Sequence, residues 1–313
     1  MDRGRLGGRP SRCPRRARVP GPDDLEHRSS ASPRGAGAPR PAASAFQPAR
    51  RRHGAAHFPS ALQAGVFDTA FHANQPQVAR LYALPRDLIT DGVLSYGFHG
   101  LSYEYIASAL RAQEGPGAGG RTVVLHLGSG VSLCAMWEGR SVATTMGFSA
   151  LDGPPMSTRS GALDPGVVLY LLQARGMSVD EVSDLLYHRS GLLGLSGLSG
   201  DMVTLLASSE PWAREALEVY VYRIAREIGS LAAALGGLDT MVFTAGVGEH
   251  AAPIRARIAE LCGWLGVRLD PEANRAGARL ISRAESPIKV LVIPTDEEGV
   301  IARGVAGLMS ART

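Results

Sequence analysis

The chain has 313 residues, 45% of them hydrophobic, and a formal net charge of +4, enough for one large or two modest globular domains with a sizeable core. No run approaches the ~18 apolar residues of a membrane helix, and Cys13, Cys134 and Cys262 are too far apart for a disulfide framework or a zinc-ligand spacing, which suits a reducing cytoplasm. Residues 1–60 hold 13 Arg against 4 acidic residues, whereas the remainder holds 20 basic and 25 acidic ones, so the basic pI belongs to the head and not to the body.

In chain order, residues 1–56 are rich in Arg, Pro, Gly and Ala with almost no periodic apolar positions. Such a head cannot bury enough surface to offset ordering, and disorder is expected. It lacks Lys and interleaved aromatics, so a nucleic-acid arm is not expected, and no amphipathic pattern marks a transit peptide. From residue 57 the composition is that of an α/β protein. Residues 64–71 read as a strand, 76–82 as a short helix, and 101–113 as an amphipathic helix after a glycine-flanked loop. The glycine-rich 114–120 is a turn-dense connection. Segments 122–127, 132–137 and 141–145 alternate apolar and polar residues between Gly-containing turns, which predicts a three-stranded meander. Helices are expected over 165–173, 178–188 and 211–235, then a buried strand at 241–244, a helix at 252–265, a strand at 289–293 and a closing helix at 297–308. Periodicity alone gives an α/β fold with a mixed sheet.

Five glycine- and acid-punctuated segments stand at strand ends: Phe67–His72, Tyr96–Gly100, His126–Gly130, Phe243–Glu249 and Ile293–Glu298. Loops of this kind hold phosphates, a metal or a small carboxylate. Asp68 either caps a turn or orients an acceptor or metal-bound water. His99 is a structural hydrogen-bonder or a donor to a developing charge. Arg159 makes a surface ion pair or offers its fork of donors to an oxyanion. Glu297 serves a helix dipole or a metal. The Gly246-Val247-Gly248 loop alone is weak evidence of a nucleotide site.

Together and in this order, the segments resemble the acetate kinase family. The resemblance implies a ribonuclease-H-like fold of the actin, sugar kinase and Hsp70 group, built as a duplicated domain with two units facing across a nucleotide cleft. Residues 57–120 would be the remnant of an incomplete first unit, and 121–313 the second, nucleotide-binding unit with a closing helix. The implied activity is reversible phosphoryl transfer between ATP and acetate, giving acetyl phosphate and ADP, with Mg2+ or Mn2+, in a cytoplasmic homodimer. By the same resemblance Asp68 is the acid/base, His99 and Arg159 stabilise the transferring phosphoryl group, Phe98 sits beside the acceptor methyl group, and Glu297 ligates the metal. Nucleotide contacts would come from His126, Leu127, Gly128, Ser129 and Gly130, from Asp201, Met202 and Val203, and from Gly246, Val247, Gly248, Glu249 and His250.

The sequence departs from the family pattern at several positions. Ser129-Gly130-Val131 stands where the family has Asn-Gly-Gly, Val203 where it has Arg, and His250 where it has Asn. The family's opening Asn-x-Gly-Ser-Ser-Ser-x-Lys loop and its acceptor-binding Arg are not in this sequence, whose one lysine is Lys289. A truncated or wrongly framed head is therefore expected. One frame forward, codons for residues 46–52 can spell Phe-Asn-Pro-Pro-Asp-Val-Gly, close to the family's His-Asn-Pro-Pro segment. Turnover several orders of magnitude below that of a complete enzyme is expected. Propionate or butyrate as acceptor and a non-catalytic nucleotide-binding module are the alternatives.

Overall fold

The structure, a computed structural model, describes residues 57–58, 61, 64–115 and 119–310; the expected head over 1–56 lies outside them. The meander forms as expected. Strands β1 (Arg121–Leu127), β2 (Val131–Trp137) and β3 (Arg140–Thr144) are successive antiparallel neighbours. Glu138 and Gly139 join β2 to β3 with φ of 50° and 78°, the doubly left-handed pair that matches hairpin twist. Strands β4 (Thr240–Thr244) and β5 (Lys289–Val292) then add parallel to β1, giving the order β3-β2-β1-β4-β5. With β2 alone running against the others, this is a ribonuclease-H-like sheet. Its parallel strands are covered on both faces, so Val123–Leu125, Met241–Phe243 and Val290–Val292 are unbroken apolar runs, all buried.

The helices in chain order are α1 (Gln77–Arg80), α2 (Arg86–Thr90), α3 (Gly100–Glu114), α4 (Pro165–Gln173), α5 (Val179–His188), α6 (Gly191–Ser196), α7 (Met202–Ala207), α8 (Pro211–Leu235), α9 (Ala245–His250), α10 (Ala252–Leu261), α11 (Pro271–Arg275) and α12 (Glu297–Ser310). One sheet face carries α8, whose buried stripe runs from Ala213 through Leu217, Tyr220, Ile224, Ile228 and Leu231 to Leu235. Pro211 at its first position and Gly236 in the left-handed region after its last residue set its ends. The other face carries α3, where Tyr103, Ile106, Ala107 and Leu110 fall at helical spacing onto Val124, Cys134, Met136, Val242 and Leu291. Helix α5 starts with a capping box between Ser178 and Glu181. Among the described residues no helix is long and apolar enough to cross a membrane.

Two expectations need correction. Residues 64–71 are not a strand. The N–H groups of Ala70 and His72 donate to Phe67 and Thr69 carbonyls in a 3-10 turn, Ala70–His72, instead of to a neighbouring strand. The helix expected over 252–265 stops at Leu261 and continues as a separate 3-10 turn, Gly263–Leu265, closed by Gly266 at φ 102°. Tertiary contact explains the first of these. The 67–72 turn lies against the start of α3, and Gly97 and Gly100 make room for it. A side chain at Gly97 would strike the His72 ring, and one at Gly100 would run into the Asp68 carbonyl oxygen. We expect Gly100→Ala to destabilise the chain by about 2 kcal/mol or more, read as the urea midpoint. Gly263→Ala, which meets open space, should shift stability by less than about 0.5 kcal/mol. Equal midpoints for the two variants would show that the close approach is unimportant.

Candidate active site

Strands β1, β4 and β5 run parallel, so their C-terminal ends open on one edge of the sheet. The loops leaving that edge are His126–Gly130, the turn into α9, and Pro294–Asp296 ahead of α12. This edge is where open α/β sheets place their ligands. The N-terminus of α3 reaches it from the covered face and brings His99 with it.

His99 precedes α3 with φ 56° and ψ 28°, a left-handed conformation that is uncommon outside glycine. Asp68 holds it there. One carboxylate oxygen accepts the His99 N–H at 2.6 Å and the other accepts the Leu101 N–H at 3.2 Å, satisfying two donors at the helix start. Asp68 thus caps α3 from outside the helix while its remaining lone pairs stay available. The His99 ring stacks on the His126 ring, centroids 4.0 Å apart and planes within 16°. Its Nδ1 lies 2.8 Å from Ser132 Oγ, and Nδ1 of His126 lies 2.9 Å from Ser102 Oγ.

Arg159 approaches from the opposite side. Its segment is clamped by backbone bonds from Ser190 to Thr158 and from Leu192 to Met156, and its Nη1 donates to the Ala150 carbonyl at 2.6 Å. Among the described residues no carboxylate pairs with it, so the ion-pair reading does not hold. Its Nη2 and His99 Nε2 converge over Gly130, where an added Cβ would stand 2.8 and 3.2 Å from them. Gly130 leaves open the space two donors share. The hairpin residues Gly128 and Ser129 flank that space, and Ser129 accepts from the Ser157 N–H at 3.2 Å. Val131 lies outside the loop. It is the first residue of β2, paired with Leu127 and fully buried, in an extended conformation that favours β-branched side chains. A valine in place of the family's glycine is thus accommodated as a strand residue.

Glu297 opens α12 with its carboxylate Oε1 4.0 Å from His126 Nδ1. Burial raises its pKa, and the Asp68 charge raises it further, so the two carboxylates lie within electrostatic reach. Among the described residues no group of three or more His, Cys, Asp or Glu is placed to hold a metal ion. The protein offers a pair of carboxylates, a donor set that fits Mg2+, which keeps waters and takes phosphate oxygens, and does not fit zinc.

Leu127 is fully buried, and Phe98 and Met202 are in the core. The Phe98 carbonyl accepts from His72 Nε2 at 3.0 Å. Asp201 caps α7, its carboxylate accepting from the Thr204 N–H and hydroxyl, and Val203 is exposed. Their loop meets the site through Gly200, where a Cβ would stand 2.7 Å from the Ser157 carbonyl. Gly246, Val247, Gly248, Glu249 and His250 form α9, entered through Ala245 at φ 63°. Glu249 and His250 border a cavity of about 460 Å³ with Gly277, Arg279 and Pro294, and Glu249 Oε1 accepts the Thr295 N–H at 3.3 Å.

Sequence reading missed the residues that hold these in place. Arg255 is buried and donates to the carbonyls of Gly248, Glu249 and Asn274 and to Asn274 Oδ1, pinning the end of α9. Ser102, Tyr103 and Ser132 bear on the two histidines, and Ser141 and Gln75 on His72. An arginine among apolar helix positions was the one local signal.

These features define the class: a ribonuclease-H-like unit carrying phosphate-sized loops, an imidazole–guanidinium pair and two carboxylates at the sheet's C-terminal edge. The chain belongs to the acetokinase family, whose profile matches residues 51–303. Acetate kinase of Rhodopseudomonas palustris (strain TIE-1) is 60% identical over 250 residues, covering 79% of this chain and 63% of that protein. Acetate kinase of Rhizobium meliloti is 55% identical over 253 residues, covering 81% and 64%. Among solved structures, Porphyromonas gingivalis acetate kinase matches with a TM-score of 0.76 and 36% identity over 82% of this chain and 66% of that one. A propionate kinase from Francisella tularensis matches at 0.75 and 36%, over 80% and 66%. The chain thus spans a little under two thirds of the length of the curated relatives it matches.

Burial is the main reason that the site's histidines stay neutral. It lowers His99 to about 4, with the charges of Arg159 and His72 adding to it. It lowers His126 to about 3, with His99 adding and Asp68 opposing, and it lowers His72 despite the Phe98 carbonyl. Below the ordinary value of 6.5 the unfolded chain binds protons that the folded chain refuses. Stability is therefore full above pH 6.5 and lost as pH falls towards 4. The urea midpoint should decline across that window, and more shallowly for His72→Gln; a midpoint constant across it would contradict neutral histidines.

Proposed function

We propose that the chain transfers the γ-phosphoryl group of ATP reversibly to acetate, giving acetyl phosphate and ADP. The observation that carries this reading is the convergence of His99 Nε2 and Arg159 Nη2 over Gly130, with the carboxylates of Asp68 and Glu297 within electrostatic reach of each other. Phosphoryl transfer needs in-line positioning and neutralised charge more than covalent help, and this arrangement supplies both. An acetate oxygen bonds to the γ-phosphorus as the bond to the ADP oxygen breaks. Arg159 and a neutral His99 donate to the equatorial oxygens of the transferring group. Asp68, as proposed acid/base, also fixes the His99 backbone. Glu297, with Asp68 nearby, would hold Mg2+, which would neutralise charge between the phosphates. The His126–Gly130 hairpin would cradle phosphate, and the cavity beside Glu249 and His250 would take the adenine, with the loop of Asp201, Met202 and Val203 alongside.

The names of the relatives support acetate as acceptor, and the propionate kinase neighbour makes propionate the second acceptor to test. We infer a cytoplasmic homodimer from family membership. The tests are acetyl phosphate trapped as hydroxamate, with acetate, propionate and butyrate as competing acceptors. Arg159→Ala should lower kcat by about 10²- to 10³-fold, and Arg159→Lys should restore little of it because the ammonium lacks the planar fork. Glu297→Gln should raise the Mg2+ concentration needed for half-maximal rate. Unchanged turnover in Arg159→Ala would rule the reading out, and ATP binding without any transfer would favour a nucleotide-binding module.

A further inference from the structure

A neutral imidazole carries one N–H, so His99 can donate to a phosphoryl oxygen from Nε2 only if Nδ1 is the bare nitrogen. Nothing in the ring itself decides between the tautomers. The decision falls to what faces Nδ1, which is Ser132 Oγ at 2.8 Å. Ser132 Oγ is also in short hydrogen-bond contact with the Tyr103 hydroxyl. Both Ser132 and Tyr103 are fully buried, and burial holds the phenol well above its ordinary pKa of 10, so Tyr103 keeps its proton.

Two hydroxyl protons and one imidazole proton must therefore be distributed over a closed chain of three groups. If Nδ1 held the ring proton and donated it to Ser132, the serine proton would turn to Tyr103. The tyrosine O–H would then have no acceptor among the described residues, a penalised state for a buried donor. If Tyr103 and Nδ1 both donated to Ser132, the serine O–H would be the orphan. One arrangement strands neither buried hydroxyl: Tyr103 donates to Ser132, Ser132 donates to Nδ1, and the ring proton stands on Nε2, the one donor of the three that faces the space left by Gly130. That nitrogen is the one over Gly130, beside Arg159 Nη2.

We propose that Tyr103 and Ser132 are positioning residues that set the His99 tautomer through this one-way chain of hydrogen bonds, so that Nε2–H is the donor presented to the transferring group. The use of that donor rests on the phosphotransferase reading; the tautomer itself does not. The chain also explains why a tyrosine faces inward on α3 with its hydroxyl at the sheet. Its ring packs beside Phe71 and His72, and its hydroxyl ends on a strand residue that neighbours the phosphate hairpin.

The test combines long-range ¹H–¹⁵N NMR of the imidazoles with steady-state kinetics on the full chain, using MgATP and acetate. The expected result is an Nε2–H tautomer for His99 in the parent. In Ser132→Ala an Nδ1–H population should appear, with kcat lower by about 10²-fold and KM values within about twofold. Tyr103→Phe, which keeps the ring, should move the tautomer in the same direction by less, because Ser132 can then donate or accept. That variant carries the test if Ser132→Ala does not fold. An Nδ1–H tautomer in the parent, or an unmoved tautomer in both variants, overturns the proposal whatever the activity. A moved tautomer in a chain that transfers no phosphate would leave the relay standing and count against the proposed function alone.

Discussion

The arrangement of the site depends on the carboxylate of Asp68 holding the first turn of α3. His99 sits in a conformation that a non-glycine residue adopts at a cost of order 1–3 kcal/mol, and such a residue stays there only when its surroundings over-determine it. Two backbone N–H groups bound to one carboxylate do this, at a helix end whose dipole favours negative charge. The contact is between residues 31 and 33 positions apart, so it also fixes the 67–72 turn against the helix. Gly100 lets the two backbones meet at the required distance. His99, Ser102 and Tyr103 all lie in the turn so fixed, and each bears on a strand residue of β1 or β2.

The sheet supplies the other half. Because β1, β4 and β5 are parallel neighbours, three loops distant in sequence leave the same edge. The hairpin after β1 is short, and its Gly130 leaves the space into which Arg159 and His99 point. Arg159 comes from a segment with no regular structure, which is why it must be clamped to α6 by backbone bonds. Arg255 performs the same service for α9, and a buried guanidinium that satisfies carbonyls at a helix end is a rigid anchor. The site is thus a set of loops, tied to neighbouring helices by the Asp68 carboxylate, by backbone bonds at the Arg159 segment and by the buried Arg255 guanidinium.

Buried polar contacts also decide protonation. The rings of His72, His99 and His126 are removed from water, and His72 disfavours charge on His99 as His99 does on His126. Three neutral imidazoles beside a free guanidinium and two carboxylates give a region where positive charge is concentrated on Arg159 and negative charge on Asp68 and Glu297.

The sequence by itself determined the meander, the long helix α8 with its Pro and Gly ends, the closing helix and the positions of the punctuating motifs. Each of these is written in a period, a cap or a tight turn that acts over a few residues. It also determined the family, because Asp68, His99, Arg159 and Glu297 recur in their expected surroundings. It misread residues 64–71 as a strand, where the chain spends its backbone donors in local turns. The tertiary structure alone decided that Asp68 caps a helix starting 32 residues later, that Arg159 stands free of carboxylates over Gly130, and that Ser132 and Tyr103 lie behind His99. These are hydrogen bonds and close approaches between residues far apart in sequence, and no local periodicity encodes which buried donor will find which acceptor once the sheet has closed.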